Sequence, residues 1–306
     1  MTEFAVTPWS LGDNIVASEL AGQAALAEKM GFHSFWLPEN HFGDQRSIPS
    51  PLTLLAAAAA TTERIKLGTT SYLITIRHPL QAAEEVAVID QMAQGRLILG
   101  LGRGVQPAMF KAFDLPTKEK RKRFRHNLDL MLNAWAGKPV AYENDQPVVL
   151  APLPWQRPHP ELWMAAFGPL ALKQAGSLAM PYLASPVETL ESLKQNYDLF
   201  NLSVAEAGLD PVQTVPVMRN IFISEQQSVI KAIKLALSGS VPHSMRAEDA
   251  SVDDWSIIGD ASYVRDRLKE YQETLGVTHF IARGRLPEVT ADQQIASHEQ
   301  LLSLNL

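Results

Sequence analysis

Apolar residues along the chain alternate between short unbroken runs and longer stretches spaced three and four apart. The short runs predict strands and the longer stretches helices. Phe4-Ala5-Val6 reads as a first strand, and Ile15 to Met30 as a helix closed by Gly31. Phe35-Trp36-Leu37 is a second strand, followed by a loop to Pro51 and a helix over Leu52 to Thr62. Ile65 to Ile74 is a third strand. His78-Pro79 opens a helix to about Ala93, with proline near its start, where a missing N–H does no harm. Gly95-Arg96 turns the chain into Leu97-Ile98-Leu99, whose lack of polar alternation marks a buried strand.

The rhythm resumes in the second half. Leu162-Trp163-Met164 precedes a helix from Leu170, and Tyr182-Leu183 precedes a helix over Glu188 to Ala207. Val215 to Ile223 is a long strand before the helix Gln227 to Leu237. Val264 to Leu275 is helical, Gly276 caps it, and His279-Phe280-Ile281 is the last strand. Alternating β and α over the whole chain implies a parallel sheet. Its eight strands favour an α/β fold of the closed (β/α)8 TIM-barrel type over an open doubly wound sheet.

Two short insertions break the alternation. Val140 to Pro152 is rich in β-formers and proline, and predicts a hairpin inserted at about 139–152. Ser238 to Trp255 mixes Gly, Ser, Pro, Asp and His without a period, and predicts a lid over about 238–257. No repeat or linker divides residues 1–306, which read as one domain.

Composition narrows the chemistry. Hydrophobic residues make up 46% of the 306, enough for a large core, and the formal net charge of −6 argues against a nucleic-acid surface. Cysteine is absent, which removes disulfides, thiolate metal sites and a cysteine nucleophile. Leu54 to Ala60 is too short to span a bilayer, and Met1 to Val6 lacks the features of a signal peptide. The cytoplasm is the default compartment. The eight histidines are scattered and form no metal-ligand spacing. A Rossmann fingerprint and a Gly-Xaa-Ser-Xaa-Gly elbow are both missing.

In a barrel, reacting groups follow the carboxyl ends of strands. Three loops meet that criterion: Pro38-Glu39-Asn40-His41-Phe42, Arg77-His78, and Gly102-Arg103-Gly104. Flanking glycines let Arg103 approach a ligand closely, and its guanidinium suits a phosphate or carboxylate. The same arginine could instead tie neighbouring loops to a carboxylate such as Glu39. His41 is the best proton-transfer residue, since imidazole donates and accepts near pH 7, and Glu39 and Asn40 beside it could fix its tautomer. The alternative is a hydrogen-bonded loop histidine. His78 reads as structural, at the start of a helix it could cap. Trp36 and Phe42 suit either a planar ligand or the core.

Trp36-Leu37-Pro38-Glu39-Asn40-His41-Phe42 resembles the Trp-Leu-Xaa-Glu-His-His-Phe segment of bacterial luciferase and its relatives. Arg64 to Thr69, His78-Pro79, Glu84 to Met92, Gly95-Arg96 and Gly100 to Gly104 follow in that family's order. Ile258-Gly259-Asp260 through Tyr271 to Phe280 resembles its closing helix–strand unit. The likeness covers most of the chain and is densest over residues 30–115.

The resemblance implies a flavin across the barrel mouth. Arg103, between Gly102 and Gly104, would approach the flavin phosphate, aided by backbone N–H groups near Gly168 at a helix N-terminus. Thr70-Ser71 occupies the place where the family commonly carries a non-proline cis peptide beneath the flavin ring. Asn40 stands where luciferase has a catalytic histidine, and Met109 where an acidic residue is frequent. Asparagine takes up no proton at neutral pH, so light emission is not expected. His41 would be the acid or base, and Asn40 a hydrogen-bond donor to substrate or peroxide.

The leading expectation is therefore a monooxygenase that receives reduced FMN from a separate flavin reductase and oxygenates a small organic substrate. The alternatives are a hydride-transfer oxidoreductase using a deazaflavin coenzyme and a non-catalytic flavin-binding protein. A phosphate-binding aldolase is weaker, for want of a Schiff-base lysine at a strand end. The family also implies a homodimer.

Overall fold

The computed structural model describes residues 2–12, 16–43, 45–240, 250–304 and 306. In chain order, β1 (Glu3–Val6), α1 (Ala17–Met30), β2 (Ser34–Leu37) and α2 (Pro51–Thr61) come first. Then come β3 (Lys66–Thr69), β4 (Tyr72–Leu73), a 3-10 turn (Ile74–Ile76), α3 (Pro79–Met92) and β5 (Leu97–Gly102). Next are α4 (Pro107–Ala112), α5 (Lys120–Trp135), β6 (Ala141–Glu143), β7 (Gln146–Val148) and β8 (Glu161–Ala165). The chain continues through α6 (Pro169–Gly176), β9 (Tyr182–Leu183), α7 (Leu190–Glu206), β10 (Pro216–Ile223) and α8 (Gln227–Ser240). It ends with α9 (Val252–Trp255), β11 (Ser256–Gly259), α10 (Ala261–Leu275), β12 (His279–Ala282) and α11 (Ala291–Leu302).

Two compact units share these elements. The first comprises Met1–Ser10, Leu26–Phe35 and Ala166–Leu306; the second comprises Leu11–Ala25 and Trp36–Ala165. In the first, parallel pairing runs β11-β10-β12-β1-β2, with Asn220 opposite Ser256 and Val6 opposite Phe35. All eight residues of β10 are buried, as a strand covered on both faces requires. Phe222, Trp255, Ile258, Ile233 and Leu237 belong to one apolar cluster of this unit. Each fully buried large side chain of this kind contributes about 1.5–3 kcal/mol.

The second unit contains β3, β5 and β8 in parallel order, with β4 also paired to β5. Its core includes Trp36 stacked near Trp163, with centroids 4.8 Å apart. Trp36 is thus a core residue and not a ligand platform.

The fold is α/β with a mostly parallel sheet, but the pairing within each unit is an open series and establishes no closed eight-stranded barrel. The strands differ from the sequence reading in two places. The third strand, expected as one run over Ile65 to Ile74, breaks at Thr70–Ser71 into β3 and β4. The extra strand β11 occupies one edge of β10.

The inserted hairpin is present as antiparallel β6 and β7, turning through Asn144 and Asp145. Both have positive φ, 48° and 63°, as a two-residue type I′ turn demands. The expected lid includes residues 241–249, which lie outside the described residues. Its flanks are ordered differently from an irregular loop: α8 extends to Ser240, and Val252–Trp255 forms a helix with Trp255 fully buried. Helices α4, α5 and α11 occupy stretches that the apolar pattern leaves unassigned.

Candidate active site

The segment after β2 and the segment after β4 meet at a fully buried carboxylate. Glu39 Oε1 accepts from His41 Nε2 at 2.6 Å and from Arg77 Nη1 at 2.7 Å. Its Oε2 accepts the backbone N–H of Leu73 at 2.9 Å. Three donors converge on one side chain with no exposed surface.

This arrangement selects a tautomer. An ionised carboxylate only accepts, so Nε2 carries the proton. Nδ1 of neutral His41 then holds the free lone pair, and it has no hydrogen-bond partner among the described residues. The imidazole is 8% exposed, so bulk water reaches it poorly.

A wider frame fixes Arg77. Its Nη1 also donates to Leu73 O at 2.9 Å, and its guanidinium carbon lies 4.1 Å from the Tyr72 ring centroid. Burial pushes the Tyr72 hydroxyl well above its ordinary pKa, so it stays protonated and donates to Glu85 Oε2 at 3.0 Å. From α5, Asn127 Nδ2 donates to the carbonyls of Ile74 and Arg77, and Arg123 Nε donates to Thr75 O.

Around His41 the surface is aromatic. Phe113 meets the imidazole edge-on at 5.3 Å, and Phe42 lies 5.8 Å from Phe113. Phe42 is 60% exposed and adopts φ 60°, a backbone position that costs a bulky residue about 1–2 kcal/mol. Ser47 Oγ helps hold it, donating to Phe42 O at 2.9 Å.

Asn40 is anchored to its own loop. Its Oδ1 accepts from Ile48 N at 2.9 Å and its N–H donates to Ile48 O. The Oδ1 is therefore occupied, while Nδ2 has no partner among the described residues.

The Thr70–Ser71 peptide bond is cis, at the place the resemblance indicates. β4 pairs with β5 so that Leu73 faces Gly102. A Cβ on Gly102 would fall 1.9 Å from Ser71 Oγ and 2.9 Å from Ser71 Cβ, so only glycine admits Ser71 here. Arg103 comes next, its carbonyl accepting from Thr75 Oγ1 at 2.9 Å, and Gly104 follows at φ 74°.

Arg103 pairs with no carboxylate among the described residues; Glu39 is taken by Arg77. The loop-tying alternative for Arg103 therefore falls to Arg77. Burial and neighbouring Arg121 hold the Arg103 guanidinium below its ordinary pKa, and burial and Arg103 do the same to Lys120. Such an excess of cationic donors suits an anion.

Gly168 belongs to the first unit, where it is the N-cap of α6 with φ 79° and Pro169 at the first helical position. His78 occupies the N-cap of α3, but its side chain makes no cap bond there. Arg77, Asn127, Phe113 and Lys120 are the site residues whose roles the sequence does not announce. The one available signal was Arg77 at a strand end beside His78-Pro79.

Residues 1–279 match the family model of the luciferase-like monooxygenases. The chain belongs to that family. Among luciferase-like relatives, limonene 1,2-monooxygenase of Rhodococcus erythropolis is 29% identical over 143 residues, covering 46% of this chain and 37% of that protein. The oxygenase component of the flavin-dependent trigonelline monooxygenase of Acinetobacter baylyi is 28% identical, covering 49% and 43%. The chain spans about half the length of the curated relatives it matches.

Solved luciferase-like structures agree with the fold along nearly the whole chain. Monooxygenase RslO1 from Streptomyces bottropensis superposes with TM-score 0.82 at 24% identity, covering 99% and 98% of the two chains. The oxygenating constituent of 3,6-diketocamphane monooxygenase from Pseudomonas putida, in complex with FMN, gives 0.79 at 19%, covering 100% and 99%. A coenzyme F420-dependent tetrahydromethanopterin reductase from Methanopyrus kandleri gives 0.76 at 21%, covering 97% and 96%. At these identities the likeness establishes the fold alone.

Proposed function

We propose that this luciferase-like protein binds reduced FMN from a separate reductase and oxygenates a small organic substrate with molecular oxygen. The observation that carries the reading is the series Arg77–Glu39–His41, which holds one imidazole nitrogen protonated and leaves the other open. Family membership and the monooxygenases among the relatives support it.

The residues present fit an anionic cofactor. Arg103, Lys120 and Arg121 form no ion pair among the described residues, and Arg103 and Lys120 are each held below their ordinary pKa by burial and a neighbouring cation. Arg103 and the Gly102–Gly104 backbone would hold the phosphate in this reading, and Thr70 and Ser71 would contact the rest of the cofactor. Reduced flavin supplies the electrons that activate oxygen.

The chain's own work is proton handling and exclusion of water. His41 takes up a proton at Nδ1 and returns it, while Nε2–H stays on Glu39. Arg77 keeps the carboxylate oriented. Phe42 and Phe113 offer apolar surface to the organic part of the substrate, and Asn40 Nδ2 can donate to it. The reading also carries a sheet closed into an eight-stranded barrel, a homodimer and a cytoplasmic location.

Anaerobic titration with reduced FMN and with a reduced deazaflavin coenzyme tests the cofactor. Preference for FMN is expected. Preference for deazaflavin would replace oxygenation by hydride transfer, and binding of neither would end the cofactor assignment.

A further inference from the structure

A second set of unsatisfied donors lies in the first unit, where β12 ends beside β10. Arg283 immediately follows β12, and its backbone is held on three sides. Its N–H donates to Arg219 O at 2.9 Å, its carbonyl accepts from Gln294 Nε2 at 3.2 Å, and the next residue's N–H donates to Thr7 Oγ1 at 2.9 Å. Gly284 packs so closely that a Cβ there would lie 2.1 Å from Thr7 O. The arginine is presented from a rigid turn.

Its guanidinium finds little in return. Nη1 donates to Asn220 Oδ1 at 3.3 Å, and no carboxylate pairs with Arg283 among the described residues. Burial and the neighbouring Arg285 hold it below its ordinary pKa. Asn220 is fully buried on β10, and its Nδ2 has no hydrogen-bond partner. Glu188, a buried carboxylate of this unit, is engaged by Tyr182, Asn196 and the Ser185 N–H.

A buried amide donor without an acceptor costs about 1–3 kcal/mol, and the half-buried Arg283 charge without a counter-charge adds to that. Here the two are adjacent through the Arg283–Asn220 contact, and both are donors. They sit at the carboxyl end of a parallel strand and beside it, the side of such sheets where ligands bind. A planar oxyanion satisfies both, one oxygen on the guanidinium and the other on the amide.

We propose that Arg283 and Asn220 receive the carboxylate group of a small organic acid. Phosphate shares the oxyanion chemistry, so the test separates the two sources. The purified chain is titrated calorimetrically with benzoate, with benzamide as its neutral counterpart and with inorganic phosphate. Arg283→Met and Arg283→Lys are titrated alongside, with circular dichroism to confirm folding.

Benzoate is expected to bind the unmodified chain at least about tenfold more tightly than benzamide. That preference should vanish in R283M and return in part in R283K. Equal binding of benzoate and benzamide by the unmodified chain overturns the proposal without need of any variant. So does a preference that survives in R283M. If phosphate displaces benzoate and binds the unmodified chain more tightly, the site is a phosphate site and the carboxylate assignment is overturned. Failure of the unmodified chain to bind FMN, with the benzoate preference intact, would remove the flavin reading and leave the carboxylate receptor standing.

Discussion

His41 and Glu39, two residues apart on the loop after β2, are joined through Nε2 and Oε1 at 2.6 Å, and the same oxygen accepts from Arg77 at 2.7 Å. The carboxylate thus ties both side chains to one point. Removing it leaves Arg77, whose side chain is 18% exposed, without its counter-charge, and the Leu73 N–H without its acceptor. Glu39→Ala is expected to cost about 3 kcal/mol in urea unfolding. Arg77→Met in the same chain should restore part of that loss, since the uncompensated charge goes with it. Additive losses in the double variant would argue against the coupling.

Arg103 should behave in the opposite sense. Its charge is opposed by Arg121 and shared with Lys120, and no carboxylate offsets it among the described residues. Arg103→Met is therefore expected to leave the unfolding midpoint unchanged or raised, while weakening reduced FMN binding by about tenfold or more. A variant that unfolds more easily and binds FMN normally would make this arginine structural.

Gly102 is tied to Ser71 by space. Gly102→Ala places a Cβ 2.9 Å from Ser71 Cβ, which rotation of the hydroxyl cannot relieve. The expected cost is about 1–3 kcal/mol. Ser71→Gly in the G102A chain should recover most of it in thermal denaturation. No recovery would mean that the clash is taken up elsewhere.

His298 sets a pH dependence in the first unit. Burial pulls its pKa down to about 3, with Trp9 Nε1 donating to its Nδ1 at 2.9 Å. Between that value and the ordinary histidine range the unfolded chain binds a proton that the folded chain does not. Stability is fully present above the unfolded pKa and falls as the pH drops, by about 1.4 kcal/mol per unit from this group. Urea unfolding at pH 7 and pH 5 should show the loss, and His298→Gln should reduce the slope. An unchanged slope would place the sensitivity in other groups.

The alternation of strands and helices was legible because parallel strands buried on both faces leave short apolar runs, as in Leu97-Ile98-Leu99. His41 and Glu39 could be singled out because they share one loop. Arg77 could not be assigned to Glu39, because the two lie 38 positions apart and only the pairing of β4 with β5 brings the second loop round. Helix α5 was obscured by its first turn, Lys120-Arg121-Lys122-Arg123, where like charges oppose the helix dipole and no apolar residue marks the period. The orphaned Nδ2 of Asn220 depends on what surrounds a buried strand, which no local pattern encodes.

The most direct test follows oxygen. Protein in excess over reduced FMN is mixed with oxygen in a stopped-flow instrument, and the return of oxidised flavin absorbance is compared for the unmodified chain and His41→Gln. The account predicts equal FMN affinity for the two, with a proton-dependent phase slowed by about a hundredfold or more in H41Q. Identical traces would contradict the role of His41. A chain that binds only reduced deazaflavin and consumes no oxygen would contradict the oxygenase itself.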